Sequence, residues 1–279
     1  MKPVSYQTAL ITGASSGIGA SFARFLASKG IAVLLAARRL DRLEAVRAEI
    51  SAAGGYAEVY GADLSIEEER NALFKTITGQ HQVDILINNA GFGWYGYYHL
   101  MNWDVARRMM ATNMEAVAHL TSLFLAPMLT ARRGYVINIG SIAGIFPNQG
   151  VALYSATKSF LNGFTTALHR ELRGSGVSAS VMNLGPVRTE FFEQARRIEG
   201  GRRKSWLCQW KRLTPRYGAC CKSQDVRCMF RAGCISPIIS TCSLAAWWIC
   251  WVPRCCAGGN NRRFSSFRMN WGRSPASGQ

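Results

Sequence analysis

A serine, a tyrosine and a lysine, Ser141, Tyr154 and Lys158, lie downstream of a loop that reads Thr12-Gly13-Ala14-Ser15-Ser16-Gly17-Ile18-Gly19. Tyr154 and Lys158 stand four residues apart, so one helical face would present both, with Cβ atoms about 5–6 Å apart. A free tyrosine titrates near about 10 and is a poor base at neutrality. A neighbouring ammonium favours the phenolate and is expected to lower that value. So tuned, the phenol could protonate a carbonyl oxygen or take a proton from an alcohol. Ser141 could hydrogen-bond the same oxygen and hold it in line. Against this, most Y-x-x-x-K pairs are simply a packed tyrosine and a solvated lysine. The loop supplies a second half. Its glycines are spaced G-x-x-x-G-x-G rather than G-x-G-x-x-G. The physics is the same: glycine permits a tight turn and a close backbone approach to a pyrophosphate, and the helix N-terminus adds amide donors and a favourable dipole. A bare glycine triplet also serves ordinary strand-to-helix turns. Together, a dinucleotide site beside an acid–base tyrosine would suit hydride transfer between a nicotinamide and a carbonyl or alcohol.

The elements that must position these groups alternate along the chain. Apolar runs at 8–11, 31–36, 57–60, 84–88, 135–139 and 177–182 read as strands. Between them, helices are expected from the glycine loop through Phe22, Phe25 and Leu26, then at 40–52, 66–78, 103–129 and 152–173. Glu67, Glu68 and Glu69 suit the positive end of the third helix. Continuous apolar strands separated by helices imply an α/β fold, a doubly wound parallel sheet covered on both faces. Right-handed crossovers favour the Rossmann-like order 3-2-1-4-5-6, with the ligand crevice at the carboxyl ends of the strands. The glycine loop, Asn88, Ser141 and Gly185 all fall at such ends.

The combination of Thr12 through Gly19, Asn88-Asn89-Ala90-Gly91, Asn113, Ser141, Tyr154-x-x-x-Lys158 and Gly185-Pro186-Val187-Arg188-Thr189 resembles the short-chain dehydrogenase/reductase family over residues 1–194. The resemblance implies an enzyme with Asn113, Ser141, Tyr154 and Lys158 as its catalytic set. It implies cofactor contacts from Gly13, Ser15, Ser16, Gly17, Ile18, Gly19, Asn89, Tyr154, Lys158 and Thr189. Lys158 should also hold the nicotinamide ribose. Asn113 should kink the long helix and carry a proton-relay water. Asn88 should stabilise the sheet near the cofactor, and Asp63 should meet the adenine. Leu184 departs from the proline usual before Gly185. Read without the resemblance, Asn113 could be a solvated helix position, and Asp63 a helix-entry residue. The aromatic run Phe92, Trp94, Tyr95, Tyr97 and Tyr98 could line a substrate pocket or merely cover the end of the sheet.

The end of the second strand sorts the cofactor. An acidic residue there would bind a ribose 2′-hydroxyl. Ala36-Ala37-Arg38-Arg39 stands there instead, and arginines can grip a 2′-phosphate bidentately. NADP(H) is therefore expected over NAD(H), with a solvated basic turn as the plain alternative.

The net charge of +17 divides unevenly: residues 1–194 hold 17 Lys/Arg against 14 Asp/Glu, and residues 195–279 hold 16 against 2. All nine cysteines lie in the second segment, beginning at Cys208, as do six of the eight tryptophans. Acids nearly vanish there and amphipathic periodicity stops, where the family would continue with a substrate-covering helix, a seventh strand and a closing helix. A reading frame shifted near residues 194–205 would produce all of these features. The expected domains are thus 1–194, a nucleotide-binding unit, and 195–279, an anomalous basic tail with the seventh strand missing or disrupted. The uncharged run 234–252 has the length of a membrane span, but Pro237 and its polar residues argue against one. No C-x-x-C pair or histidine gives the cysteines zinc-ligand spacing, so no metal is expected. The tail's charge could bind nucleic acid only non-specifically. The expected partners are a small carbonyl or alcohol substrate and a second copy of the chain, paired through helices 103–129 and 152–173. The absence of an apolar leader and of cysteines in the first segment suits the cytoplasm.

Overall fold

A computed structural model describes residues 6–185 and Phe191. Six parallel strands form one sheet: β1 (Thr8–Thr12), β2 (Ala32–Ala37), β3 (Ala57–Gly61), β4 (Ile85–Asn88), β5 (Gly134–Ser141) and β6 (Val177–Leu184). Their order is β3-β2-β1-β4-β5-β6, as expected. The helices are α1 (Gly17–Ala27), α2 (Leu40–Ala52), α3 (Glu67–Thr78), α4 (Trp103–Met110), α5 (Ala116–Thr130) and α6 (Ala152–Glu171).

Strand alternation divides the core. Ala9 and Ile11 of β1, with Val33 and Leu35 of β2, pack against Phe22 of α1 and Leu43 of α2. Leu10 and Leu34, one residue out of phase, pack on the other face against Leu73 of α3, Phe124 of α5 and Leu168 of α6. β1, β2 and β4 bury both faces, which is why their sequences read as near-continuous apolar runs, whereas the edge strand β3 is largely half-buried. Asp84 anchors the far end of the sheet. Its carboxylate accepts from the backbone of Gln7 at 2.7 Å and from Arg133 Nε at 2.9 Å.

The helix expected over 103–129 is not continuous. A π-helical turn, Ala111–Glu115, separates α4 from α5. Such turns insert an extra residue and re-aim side chains at functional sites. Here the re-aimed residue is Asn113, which is fully buried rather than solvated.

No helix among the described residues is long and apolar enough to cross a membrane, and no cluster of metal-ligating side chains occurs among them. The expectations for a missing seventh strand, the run 234–252, the cysteines and Thr189 fall outside the described residues.

Candidate active site

One end of the candidate site is built where β1 meets α1. Gly13 and Gly17 have φ of +65° and +56°, a region that costs a side chain energy. A Cβ on Gly13 would also lie 2.8 Å from Ala90 Cα. A Cβ on Gly19 would run into the Gly13 carbonyl and the Asn89 amide. Two of the glycines therefore exist to let the loop lie against Asn89-Ala90. Thr12 fastens that contact: its Oγ1 accepts from Asn89 N and Ala90 N, each at 3.0 Å. Asn89 Nδ2 donates back to Thr12 O at 2.9 Å and Gly13 O at 3.1 Å. Ile18 packs against the α1-side core.

Arg38 and Arg39 diverge. Arg39 Nη2 donates to Ser15 Oγ at 3.1 Å and Ser16 Oγ at 2.8 Å. Arg38 Nη1 lies 3.5 Å from Asp63 Oδ2. Burial would raise the Asp63 carboxyl, but hydrogen bonds from Ser65 and the charge of Arg38 outweigh it and hold the group below its ordinary range. Asp63 does not cap a helix: α3 begins four residues later, after Ile66. Its Oδ1 instead accepts from Ser65 N at 3.0 Å in a local turn. The plain helix-entry reading of Asp63 is thereby corrected.

The other end of the candidate site gathers residues from β5, the π-helical turn and α6. Ser141 closes β5, and its Oγ accepts from Ala143 N at 3.2 Å. Tyr154 and Lys158 share the inward face of α6, and Lys158 Nζ stands 5.9 Å from the Tyr154 ring centroid. Lys158 is buried, and its Nζ donates to Ile139 O at 2.7 Å. Asn113 Oδ1 accepts from Phe92 N at 3.1 Å, while its Nδ2 donates to Phe92 O at 2.9 Å and Thr157 Oγ1 at 3.2 Å. The amide thus grips both polar groups of one backbone residue and ties the β4 exit loop to α6. Asn88 Nδ2 donates to Thr121 Oγ1 at 3.1 Å and to Asn138 Oδ1 at 2.9 Å, bracing β4 against α5 and β5.

The titration of the pair differs from expectation. Burial pushes the Tyr154 phenol up to about 12, and a hydrogen bond with Ser141 opposes that rise. Part of the ring remains exposed, so water in the cleft would lessen the rise without reversing it. Burial lowers Lys158 to about 8. The expected lowering of Tyr154 by Lys158 is corrected: the ammonium is turned toward Ile139 O, and desolvation dominates the phenol. Without ligand, the tyrosine is a neutral proton donor across the neutral range.

Of two further neighbours, Gly91 was quoted only as the end of the Asn88-Asn89-Ala90-Gly91 run, and Phe191 was not singled out. Gly91 separates Asn113 from Lys158: a Cβ there would lie 3.0 Å from Asn113 Oδ1 and 3.7 Å from Lys158 Nζ. Phe191 lies beside the phenol, with ring centroids 5.6 Å apart. A Cβ on Gly93 would meet Phe191 Cζ at 2.9 Å. No local spacing signals either contact, because each joins residues far apart in the chain: Gly91 with Asn113 and Lys158, and Phe191 with Gly93 and Tyr154. In the aromatic run, Trp94 is 1% exposed and lies against Gly96, whereas Tyr97 and Tyr98 are exposed.

Comparison with known proteins places this geometry in a family. Residues 7–200 match the short chain dehydrogenase family. The chain is 38% identical over 195 residues to an uncharacterized oxidoreductase of Myxococcus xanthus, covering 68% of this chain and 76% of the relative. A metagenomic short-chain oxidoreductase solved in complex with NADP is 41% identical, with a TM-score of 0.62 over 66% of this chain and 83% of that one. A short-chain dehydrogenase of Sphingobium yanoikuyae in complex with NADPH is 33% identical, with a TM-score of 0.65 over 68% and 75% of the two chains. The sheet order, the glycine loop and these likenesses converge, and the chain belongs to the short-chain dehydrogenase family of NAD(P)-dependent oxidoreductases.

Proposed function

We propose that the protein interconverts a carbonyl and an alcohol using NADP(H), with Tyr154 as the proton-transferring residue. The observation that supports this most is the convergence of Ser141, Tyr154 and Lys158 at the carboxyl end of the sheet, beside the glycine loop. The bound nicotinamide would supply or accept the hydride. Ser141 and Tyr154 would both present hydroxyls to the substrate oxygen. In reduction the neutral phenol donates its proton as negative charge develops on that oxygen. Lys158 would hold the ribose and, when charged, ease return of the proton. Asn113 would carry the relay water that the family implies, and Gly91, which leaves no side chain between Asn113 and Lys158, keeps the two close. Thr189 would complete the nicotinamide contacts.

The NADP preference draws on Arg39, Ser15 and Ser16. A guanidinium and two hydroxyls already converge at hydrogen-bond distance, a donor set suited to a 2′-phosphate. No acid stands at the end of β2 to select a free 2′-hydroxyl. Arg38 and Asp63 would border the adenine. Titration with both cofactors tests this. NADPH should bind more tightly than NADH, and Arg39→Ala should weaken NADPH by about tenfold or more while leaving NADH nearly unchanged. Equal affinities in the unaltered protein would overturn the preference.

A second reading takes the chain as a binding remnant without turnover. It draws on the family match ending at residue 200 of 279. On this reading residues beyond about 194 form a separate, anomalous segment from a shifted frame. Resequencing the coding DNA across codons 185–210 decides: one restored base that yields a seventh strand would support it, and a confirmed frame would remove it. Pairing of two copies through α4–α5 and α6 is proposed on the survival of those helices, and sedimentation would test it.

A further inference from the structure

Arg70 is 1% exposed, yet no step of the reaction uses it. It sits on α3 beside Leu73 and Ile77, on a face where an apolar side chain would suffice for packing. A buried guanidinium is costly unless its donors are met. Here the planar fork reaches three different segments. Nη1 donates to Leu64 O at 2.8 Å. Nε donates to His119 Nδ1 at 3.0 Å. Nη2 donates to Glu115 Oε1.

The two outer contacts belong to segments that lead to different ends of the site. Leu64 follows Asp63, whose carboxylate faces Arg38 and whose amide donates to Glu69 Oε2 at 2.6 Å. Glu115 closes the π-helical turn that presents Asn113 two residues earlier. Glu115 is itself 58% exposed, so core packing does not account for it. A guanidinium is rigid and planar, and a shift at one end of its fork displaces the other.

We propose that Arg70 is a positioning residue that couples the adenosine end of the cleft to the catalytic end, by joining the loop after Asp63 to the turn that holds Asn113. The proposal rests on the reading of this cleft as a dinucleotide site. Occupation of the Arg38–Arg39–Asp63 end orders residues 62–66. Through Leu64 O, Arg70 and Glu115, that ordering steadies residues 111–115. The linkage is reciprocal, so a ligand at the catalytic end tightens the adenosine end by the same factor.

Hydrogen exchange of the full chain with adenosine 2′,5′-bisphosphate tests this without any substrate, because that probe occupies only the adenosine end. In the unaltered protein it should protect residues 12–19 and 36–40, and should also slow exchange across 105–118 by about fivefold or more. In Arg70→Met, protection of 12–19 and 36–40 should persist while the ligand-dependent slowing across 105–118 disappears. Glu115→Ala, at an exposed side chain, should do the same and decides the matter if Arg70→Met fails to fold. A purely structural arginine would raise exchange equally with and without the probe and leave their ratio unchanged. Slowing across 105–118 that survives in the variants, or is absent from the unaltered protein despite protection at 12–19, overturns the coupling. No protection anywhere overturns the dinucleotide reading and the coupling with it.

Discussion

Lys158→Met should change how stability depends on pH, in a direction set by burial of the ammonium. Burial lowers the Lys158 value from 10.5 to about 8 in the folded protein. Between those values the unfolded chain binds the proton and the folded chain releases it. Stability rises with pH wherever the unfolded state holds more protons. The charged lysine is therefore a liability below about pH 8, and the liability is relieved as pH climbs toward 10.5. At about 1.4 kcal/mol per unit, the whole gap corresponds to about 3 kcal/mol, of which about 2 kcal/mol is recovered by roughly pH 9.5. The contact from Nζ to Ile139 O at 2.7 Å is available to both the ammonium and the amine, so its loss offsets the two proteins without tilting the difference. Tyr154, pushed up to about 12, titrates in both. Urea unfolding of each protein without cofactor, between about pH 7 and pH 10, measures the difference directly. The unaltered protein should gain on the methionine variant by about 2 kcal/mol as the pH rises. A difference that stays flat, or that narrows in the opposite direction, would show that Lys158 keeps its ordinary value and that the burial argument is wrong.

Other outcomes follow from the same geometry. Gly13→Ala combines a φ of +65° with a Cβ 2.8 Å from Ala90 Cα, so it should lower stability by about 1–3 kcal/mol and weaken dinucleotide binding; an unchanged melting temperature would contradict it. Phe191→Ala removes the ring beside Tyr154 and Gly93. It should raise KM for compact apolar ketones and admit bulkier ones, read from kcat/KM across a size series; an unaltered profile would remove Phe191 from the substrate wall. Because the phenol stays protonated up to about 12, alcohol oxidation should rise with pH through the alkaline range, whereas reduction should not need alkali. A pH-independent oxidation rate would count against Tyr154 as the base.

The fold was legible because the central strands β1, β2 and β4 are near-continuous apolar runs and amphipathic helical segments alternate with the strands. The order of strands then put β1 beside β4, so the meeting of Thr12 with Asn89 was implicit in topology, although its hydrogen bonds were not. Asn113 shows where reading stops. Its neighbours Met110, Met114 and Val117 fit an ordinary helix, and partners far along the chain, the backbone of Phe92 and the hydroxyl of Thr157, draw its amide inward through a π-helical turn. Tyr154 shows a second limit. Spacing put Lys158 on the same face, but the direction of titration depended on where Nζ pointed and how much water reached the ring. Arg70 directly follows Glu67, Glu68 and Glu69 in α3, and nothing local marks it as buried.

Transfer of a labelled hydride tests the central claim most directly. The protein would be incubated with NADPH carrying deuterium at the transferable position and a mixed panel of ketones and aldehydes, and the alcohols would be read by mass spectrometry. Deuterium should appear at the carbinol carbon of at least one product. Tyr154→Phe should reduce that yield by about a hundredfold or more while still binding NADPH. Saturable NADPH binding with no deuterium in any alcohol, or equal labelling by the phenylalanine variant, would contradict the account.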